Sequence, residues 1–326
     1  LAIWPSKPLY RLGRRISAWP IKGLKGIARR STLGMVQFVA GQTFFSRSRR
    51  VRSVAYDVLS KRQRLVLRAP KDGEAFVVHS GDQWIGRGLF ADGEFDFEKF
   101  VAALDILSKY RDRAPPKVLV DVGANVGSIC IPAVARSLVE RAVAIEPDPG
   151  HLRLLRANIA LNGLEGAIRV VGHAAGPRDG ELLELERDME NLGDHRIRVT
   201  HAPGLQNETD RAVVQVPSSR LDTVCQEEQD EDLLIWMDVQ GFEGFVLEGS
   251  HSFLARRVPM VLEFCPYLLE RAGSFSLMLT NLAGYDGFID LNNPRKLRPI
   301  AELNELYREL GGSRAYSDIY TDILIL

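Results

Sequence analysis

KVLVDVGANVG, residues 117–127, is the stretch whose reading decides the fold. Lys117–Asp121 reads as a mostly apolar strand ending in an acid, and Gly123 and Gly127 follow at once. Glycines at those points let the backbone turn sharply and approach a ligand with no Cβ in the way. A helix is expected next, over Val126–Leu138, with Pro132 early enough to be tolerated. Its free N–H groups would aim back at the same loop.

The strand–helix rhythm continues outward from there. Arg141–Ile145 reads as a strand and Pro149–Leu161 as an amphipathic helix stopped by Asn162-Gly163. Ala167–Val171, Leu233–Met237, Pro259–Phe264 and Ile319–Leu326 read as further strands, with Gly244–Leu254 and Ile300–Leu310 as helices. Glu181–Glu186 and Ala212–Val216 alternate like the arms of a hairpin, and the polar, turn-rich stretch Met189–Arg211 between them is expected to be a surface insertion. Upstream, Arg64–Arg68 and Ala75–His79 flank the turn Lys71-Asp72-Gly73, and Glu98–Tyr110 has helical spacing. Strands alternating with helices predict an α/β fold, a mostly parallel sheet with helices on both faces.

Forty-two basic and forty-two acidic residues cancel in the 326-residue chain, but not locally. Residues 1–68 hold sixteen Lys and Arg and one acid, Asp57, which leaves twenty-six basic against forty-one acidic residues for the rest. That asymmetry marks a boundary. The expected organisation is a basic N-terminal extension over 1–60, strands and a helix over 61–115 that lead into the core, and the core domain over 116–326. The arm has three functional readings: contact with an anionic membrane surface, non-specific phosphate contacts, or targeting. The plain alternative is a solvated, partly helical extension packed on its own acidic domain or on a second subunit. The zero total charge argues against a wholly basic nucleic-acid binder, and nucleic acid is not the expected partner. No apolar run reaches the length of a spanning helix. Three scattered cysteines fit a reducing compartment, so the expected location is cytoplasmic, peripheral at a membrane surface if the arm binds one. Residue 1 is Leu, and a start further upstream is expected.

In such a sheet, ligands sit at the carboxyl ends of the strands near the point where strand order reverses. The odd polar residues of this chain fall there. About twenty residues past the glycine loop, Glu146 stands at the next strand end, where a carboxylate can accept both hydroxyls of a ribose. Loop, flanks and acid together point to a nucleoside ligand. Asn125 replaces the second glycine of the dinucleotide fingerprint, which sets a dehydrogenase aside.

DVGANVG (121–127), IEPDP (145–149), ANIALNG (157–163), SRLDTV (219–224) and MDVQGFEGFVLEG (237–249), in that order, resemble the FkbM family of methyltransferases over residues 80–326 or so. The resemblance implies a Rossmann-like methyltransferase fold, with 116–326 as the catalytic domain, and S-adenosylmethionine as cofactor. It implies that the mostly parallel sheet has seven strands, that Asp121 helps to bind the cofactor, and that Gly123, Asn125 and Gly127 line its methionine end, Glu146 the ribose, and His173 the adenine edge. Gln240 departs from the pattern, because the family usually has Glu in that slot.

Transfer of a methyl group to an alcohol needs a positioned oxygen and a nearby base. Asp238 and Glu263, each at or near a strand end, are the expected catalytic pair, with Glu243 and His173 as further candidates. The structural alternative for Asp238 is an acid that satisfies helix N–H groups. His251 is expected on a helix surface and Cys265 as a core thiol. No zinc or EF-hand motif is present and no metal is expected, although Asp238, Glu243 and Glu263 together are the acids that would hold a divalent ion. No aromatic stacking slot follows Met237, which argues against a flipped base. The expected reaction is O-methylation of a hydroxyl on a sugar, glycan-linked or natural-product acceptor. The alternatives are an RNA methyltransferase that uses the basic arm, and a non-catalytic scaffold that has kept the fold.

Overall fold

The computed structural model describes residues 48–61, 65–70, 73–111, 116–188, 191–202, 204, 211–311 and 319–326. Most of the basic extension, the first two residues of the Lys71-Asp72-Gly73 turn and part of the 189–211 stretch lie outside the described residues.

The chain begins with α1 (Arg49–Ser60), then β1 (Leu65–Arg68), β2 (Phe76–His79), α2 (Ile85–Ala91) and α3 (Phe97–Arg111). Next come β3 (Val118–Val122), α4 (Cys130–Ala135), β4 (Arg141–Ile145), α5 (Pro149–Leu161), β5 (Ile168–Val171), β6 (Ala174–Ala175), β7 (Leu182–Arg187), β8 (Arg196–Ile197) and β9 (Ala212–Ser219). The last part runs α6 (Leu221–Val224), β10 (Leu233–Met237), α7 (Glu243–Glu248), α8 (His251–Ala255), β11 (Met260–Phe264), α9 (Pro266–Ala272), α10 (Phe275–Leu282), β12 (Phe288–Asp290), α11 (Leu303–Glu309) and β13 (Thr321–Ile325).

Seven strands form one sheet in the order β12-β13-β11-β10-β3-β4-β5. β11, β10, β3, β4 and β5 run parallel, and β13 is antiparallel to both β11 and β12. A second sheet, β6-β9-β7-β8, carries the expected hairpin of β7 and β9. β3, β10, β11 and β13 are buried along their whole length, so they read as continuous apolar runs. Alternate residues serve opposite faces. Leu119, Ala142, Leu234 and Trp236 join one core cluster with Phe100, Ile131 and Leu155. Val120, Val143, Ile235 and Met237 join another with Leu247, Phe253 and Leu282 on the far side. This is the Rossmann-like α/β architecture expected from the sequence.

Several elements differ from the expectation. The helix after the glycine loop starts at Cys130 and stops at Ala135, because Gly127 and Ser137 both take positive φ. The single helix expected over Gly244–Leu254 is two, α7 and α8. It breaks at Gly249, where a Cβ would lie 2.2 Å from the Gly176 carbonyl oxygen. α9, α10 and β12 were not foreseen. The 189–211 stretch is not wholly a surface feature, since Asp194, Arg196 and Arg211 are buried. α1, within the span grouped with the extension, packs on α2: the buried Tyr56 hydroxyl reaches the carbonyls of His79 and Asp82, and Asp57 pairs with Arg87.

Candidate active site

The reversal point of the sheet falls between β3 and β10, and the residues singled out by the sequence gather at the carboxyl ends of β3, β4, β10 and β11. The loop after β3 is tied to β4, with the Gly123 and Ala124 N–H groups donating to the Ile145 carbonyl. Gly123 has φ of 89°, and a Cβ there would lie 1.9 Å from the Asp238 carbonyl oxygen. Glycine is therefore required for the loop to lie against the end of β10.

Glu146 closes the other side of the loop. One of its oxygens accepts the Asn125 N–H at 2.9 Å and the other accepts the Asp148 N–H at 2.7 Å. Glu146 is buried, and burial pushes its pKa up to about 8 in spite of those bonds. The glycine loop and this carboxylate thus converge on one place. Asn125 takes φ of 48°, and its Oδ1 is a buried acceptor with no hydrogen-bond partner among the described residues. Asp121 lies deeper, with Oδ2 accepting the Cys130 N–H at 3.1 Å, and burial raises its pKa to about 6. It holds the start of α4 under the loop. His173 sits past β5 with Nδ1 2.7 Å from the Ser219 hydroxyl.

Asp238 and Glu263 end up joined. The Gln240 Nε2 donates to Asp238 Oδ1 at 2.7 Å and to Glu263 Oε2 at 3.0 Å. Burial raises both acids: Asp238 to about 7, and Glu263, which also faces the carboxylates of Asp238, Glu243 and Asp322, well above the usual range. Glu243 is fully buried, and its Oε1 accepts the N–H groups of Val239 and Gly241 at 3.2 and 3.3 Å. Glu243 therefore holds the turn that carries Gln240. Cys265 is buried with its thiol pushed up to about 12 by burial, as a packed core thiol should be, and His251 is exposed at the start of α8.

Sequence reasoning missed two parts of the site. The first is the pair Asn158 and Asn162 in the ANIALNG segment. Fully buried Asn158 donates to the carbonyls of Val126 and Val77 and accepts the Val77 N–H, while Asn162 exchanges two bonds with Ala75. Asparagines four apart on an otherwise amphipathic helix were the available signal.

The second is the insertion. The Leu192 carbonyl accepts from Asn125 Nδ2 at 3.3 Å, and His195 stacks on His151 with ring centroids 4.5 Å apart and planes 12° from parallel. Burial depresses His151 to about 3, so it is neutral. Ligand atoms of Asp148, His151 and His195 lie within 4.8 Å of one another, the one such grouping among the described residues. The Arg187 guanidinium already stands 2.8 Å from Asp148 Oδ2, so the carboxylate has its counter-charge. Asp238, Glu243 and Glu263 do not form such a grouping. Gln240 also lines a cleft together with Glu186, Arg196, Arg198, Thr200 and Arg271.

A family model, the methyltransferase FkbM domain, matches residues 121–287. No curated protein matches the chain. Among solved structures, TYW2 from M. jannaschii in complex with AdoMet is similar at 14% identity and TM-score 0.38, covering 81% of this chain and 85% of its own. TYW2 from P. horikoshii in complex with MeSAdo is 13% identical at TM-score 0.37, covering 87% and 84%. The StiE O-MT segment is 12% identical at TM-score 0.33, covering 68% and 71%. At these scores the three likenesses add no weight. The domain match alone spans just over half of the chain, from the first acid of the glycine loop past the acid pair. On that match, this chain belongs to the FkbM methyltransferase domain family.

Proposed function

We propose that this methyltransferase uses S-adenosylmethionine and transfers its methyl group to a hydroxyl on a sugar, glycan-linked or natural-product acceptor. The observation that carries the reading is the bridged pair of carboxyl groups, half-buried Asp238 and buried Glu263, set beside the glycine loop at the reversal point of the sheet. The residues present fit the cofactor. Asn125 Oδ1 is a buried acceptor that lacks a partner, suited to an ammonium group. Each Glu146 oxygen takes one backbone bond and keeps a lone pair for a ribose hydroxyl.

Held by Asn125 and Glu146, S-adenosylmethionine would supply an electrophilic methyl group on a sulfonium. The chain's own residues do the rest. Gly123 lets the loop press against the end of β10, so that the loop and Asp238 face one crevice. Asp238, raised only to about 7, takes the proton that the hydroxyl loses. Burial and the facing carboxylates raise Glu263 well above its usual range, which favours its neutral form and spares the pair a second negative charge.

The test is transfer of radiolabelled methyl from S-adenosylmethionine into a lysate fractionated into lipid, glycan, RNA and small-molecule pools. Label is expected in a hydroxyl-bearing glycan or small-molecule pool. Label confined to RNA would overturn the acceptor assignment. The variant Asp238→Asn should leave S-adenosylhomocysteine affinity unchanged by calorimetry and slow turnover at least a hundredfold, a typical size for a lost general base. Equal loss of binding and turnover would make Asp238 a cofactor ligand instead.

A further inference from the structure

Gln240 belongs to no role considered so far, yet its side chain hydrogen-bonds to both acids. We infer that Gln240 is a positioning residue: its amide spans Asp238 and Glu263, fixes their separation, and keeps a single proton on the pair with Asp238 as the ionised member. This rests on the hydroxyl-methylation reading above and adds to it the residue that sets the base.

The geometry carries the inference. A primary amide has two N–H bonds, and the distances of 2.7 and 3.0 Å assign one to each carboxyl oxygen. Both are spent, so Gln240 donates no proton to the chemistry and acts only by where it holds the acids. The backbone around it is pinned on both sides. Gln240 takes φ of 54°, a conformation that side chains other than glycine rarely adopt. Next to it, Gly241 has φ of 94°, and a Cβ there would lie 2.5 Å from the Leu268 carbonyl oxygen. The Ser274 hydroxyl donates to the Gly241 carbonyl at 2.6 Å, and Glu243 holds the N–H groups on either side of Gln240. Strain kept in place by surrounding contacts at a strand end is where a functional constraint is expected.

The charges around the pair explain why a neutral donor is needed. Asp238 faces Asp322, Asp96 and Lys99, and Glu263 faces Asp238, Glu243, Asp322 and Asp194. Lys99, the cation among these, is taken up by Asp322 at 2.6 Å and Asp96 at 3.3 Å. Asp194 is paired with Arg196 and Arg211. A glutamate in place of Gln240 would bring a third carboxylate to the pair with no donor between them. Glutamine has the same shape and supplies both hydrogen bonds. In the reaction the acceptor O–H bond breaks, its proton moves to the Asp238 carboxylate, and the Glu263 proton stays where it is.

The experiment compares the full-length wild type with Gln240→Met, which keeps length and removes both donors, and Gln240→Glu, which keeps shape and adds charge. Calorimetry with S-adenosylhomocysteine should give affinities within about twofold for all three, since the Gln240 side-chain hydrogen bonds among the described residues go to Asp238 and Glu263 rather than to the glycine loop or Glu146. The pH profile of label transfer into the wild-type acceptor pool should shift. Its acidic limb should move up by about one pH unit in Gln240→Met and further in Gln240→Glu, with kcat falling more than KM. Infrared spectra at neutral pH should show a protonated carboxyl band that is weaker in Glu263→Gln, where Glu146 and Glu243 still contribute, and stronger in Gln240→Met. Superimposable pH profiles in well-folded variants, or a carboxyl band unchanged in Glu263→Gln, would overturn the positioning role while leaving the methyltransferase reading intact. Failure of the wild type to bind S-adenosylhomocysteine or to transfer label would instead remove that reading, and the role of Gln240 with it.

Discussion

Glu146 shows how burial and ligand binding meet in one side chain. Its two backbone bonds hold the carboxyl still, and burial raises it to about 8, so near neutrality it carries most of its proton. Glu146→Ala should weaken S-adenosylhomocysteine binding by about 1–3 kcal/mol, the usual loss for hydrogen bonds to a charged or buried partner, as read by calorimetry. Unchanged affinity would take Glu146 out of the site. The sequence made this residue legible because an acid at a strand end, twenty residues past a glycine loop, is a local pattern. Asp238 and Glu263 were legible for the same reason. Gln240 as a bridge was not, because its contact with Glu263 spans 23 positions and no period or spacing encodes it. His195 was hidden likewise, since its partner His151 lies on a different element.

At the scale of the element, α5 does more than cover the sheet. Asp148 caps it through the N–H groups of Gly150 and His151, and Pro149 occupies its first turn. Further along, Asn158 acts as a piece of extended chain would, pairing with β2 and reaching the loop at Val126. Asn158→Ala should cost about 2–4 kcal/mol in urea denaturation, because it strands two buried carbonyls and an N–H at once. It should also weaken cofactor affinity, since the Val126 carbonyl belongs to the glycine loop. A stability change below about 0.5 kcal/mol would mean that water replaces the amide. The start and stop of this helix were plain in the sequence, whereas α10 was not. Its sequence FSLMLTNL is apolar almost throughout, and such a run does not separate helix from strand by periodicity. The break between α7 and α8 depends on the approach of Gly249 to Gly176, a contact far away in the chain.

Across the whole molecule, buried titratable groups set a pH dependence of stability. Glu146 and Glu243, both raised to about 8, bind protons more tightly folded than unfolded. Their contribution is complete below the unfolded value near 4.5 and is lost as pH rises through about 8. His151, depressed to about 3, acts in the opposite sense, and its contribution is lost as pH falls from 6.5 towards 3. Above pH 6.5 only the acids remain in play, so chemical denaturation should show stability falling between pH 6.5 and 8. Glu243→Gln should flatten that fall, by up to about 1.4 kcal/mol per pH unit, the value of one proton. An unchanged slope would show that Glu243 is ionised in the folded chain. This contrast with the outer surface was not visible in the total composition, where acids and bases simply cancel.

The position of β13 has a consequence for how the protein is made. It lies between β11 and β12 and hydrogen-bonds to both, yet it is the last of the seven strands to leave the ribosome. Until it arrives, the nascent chain presents β11 as an open edge, and β12 has no neighbour in the sheet at all. Closure of the sheet therefore waits for β13 to emerge, and a chaperone that shields apolar edges has an interval in which to act.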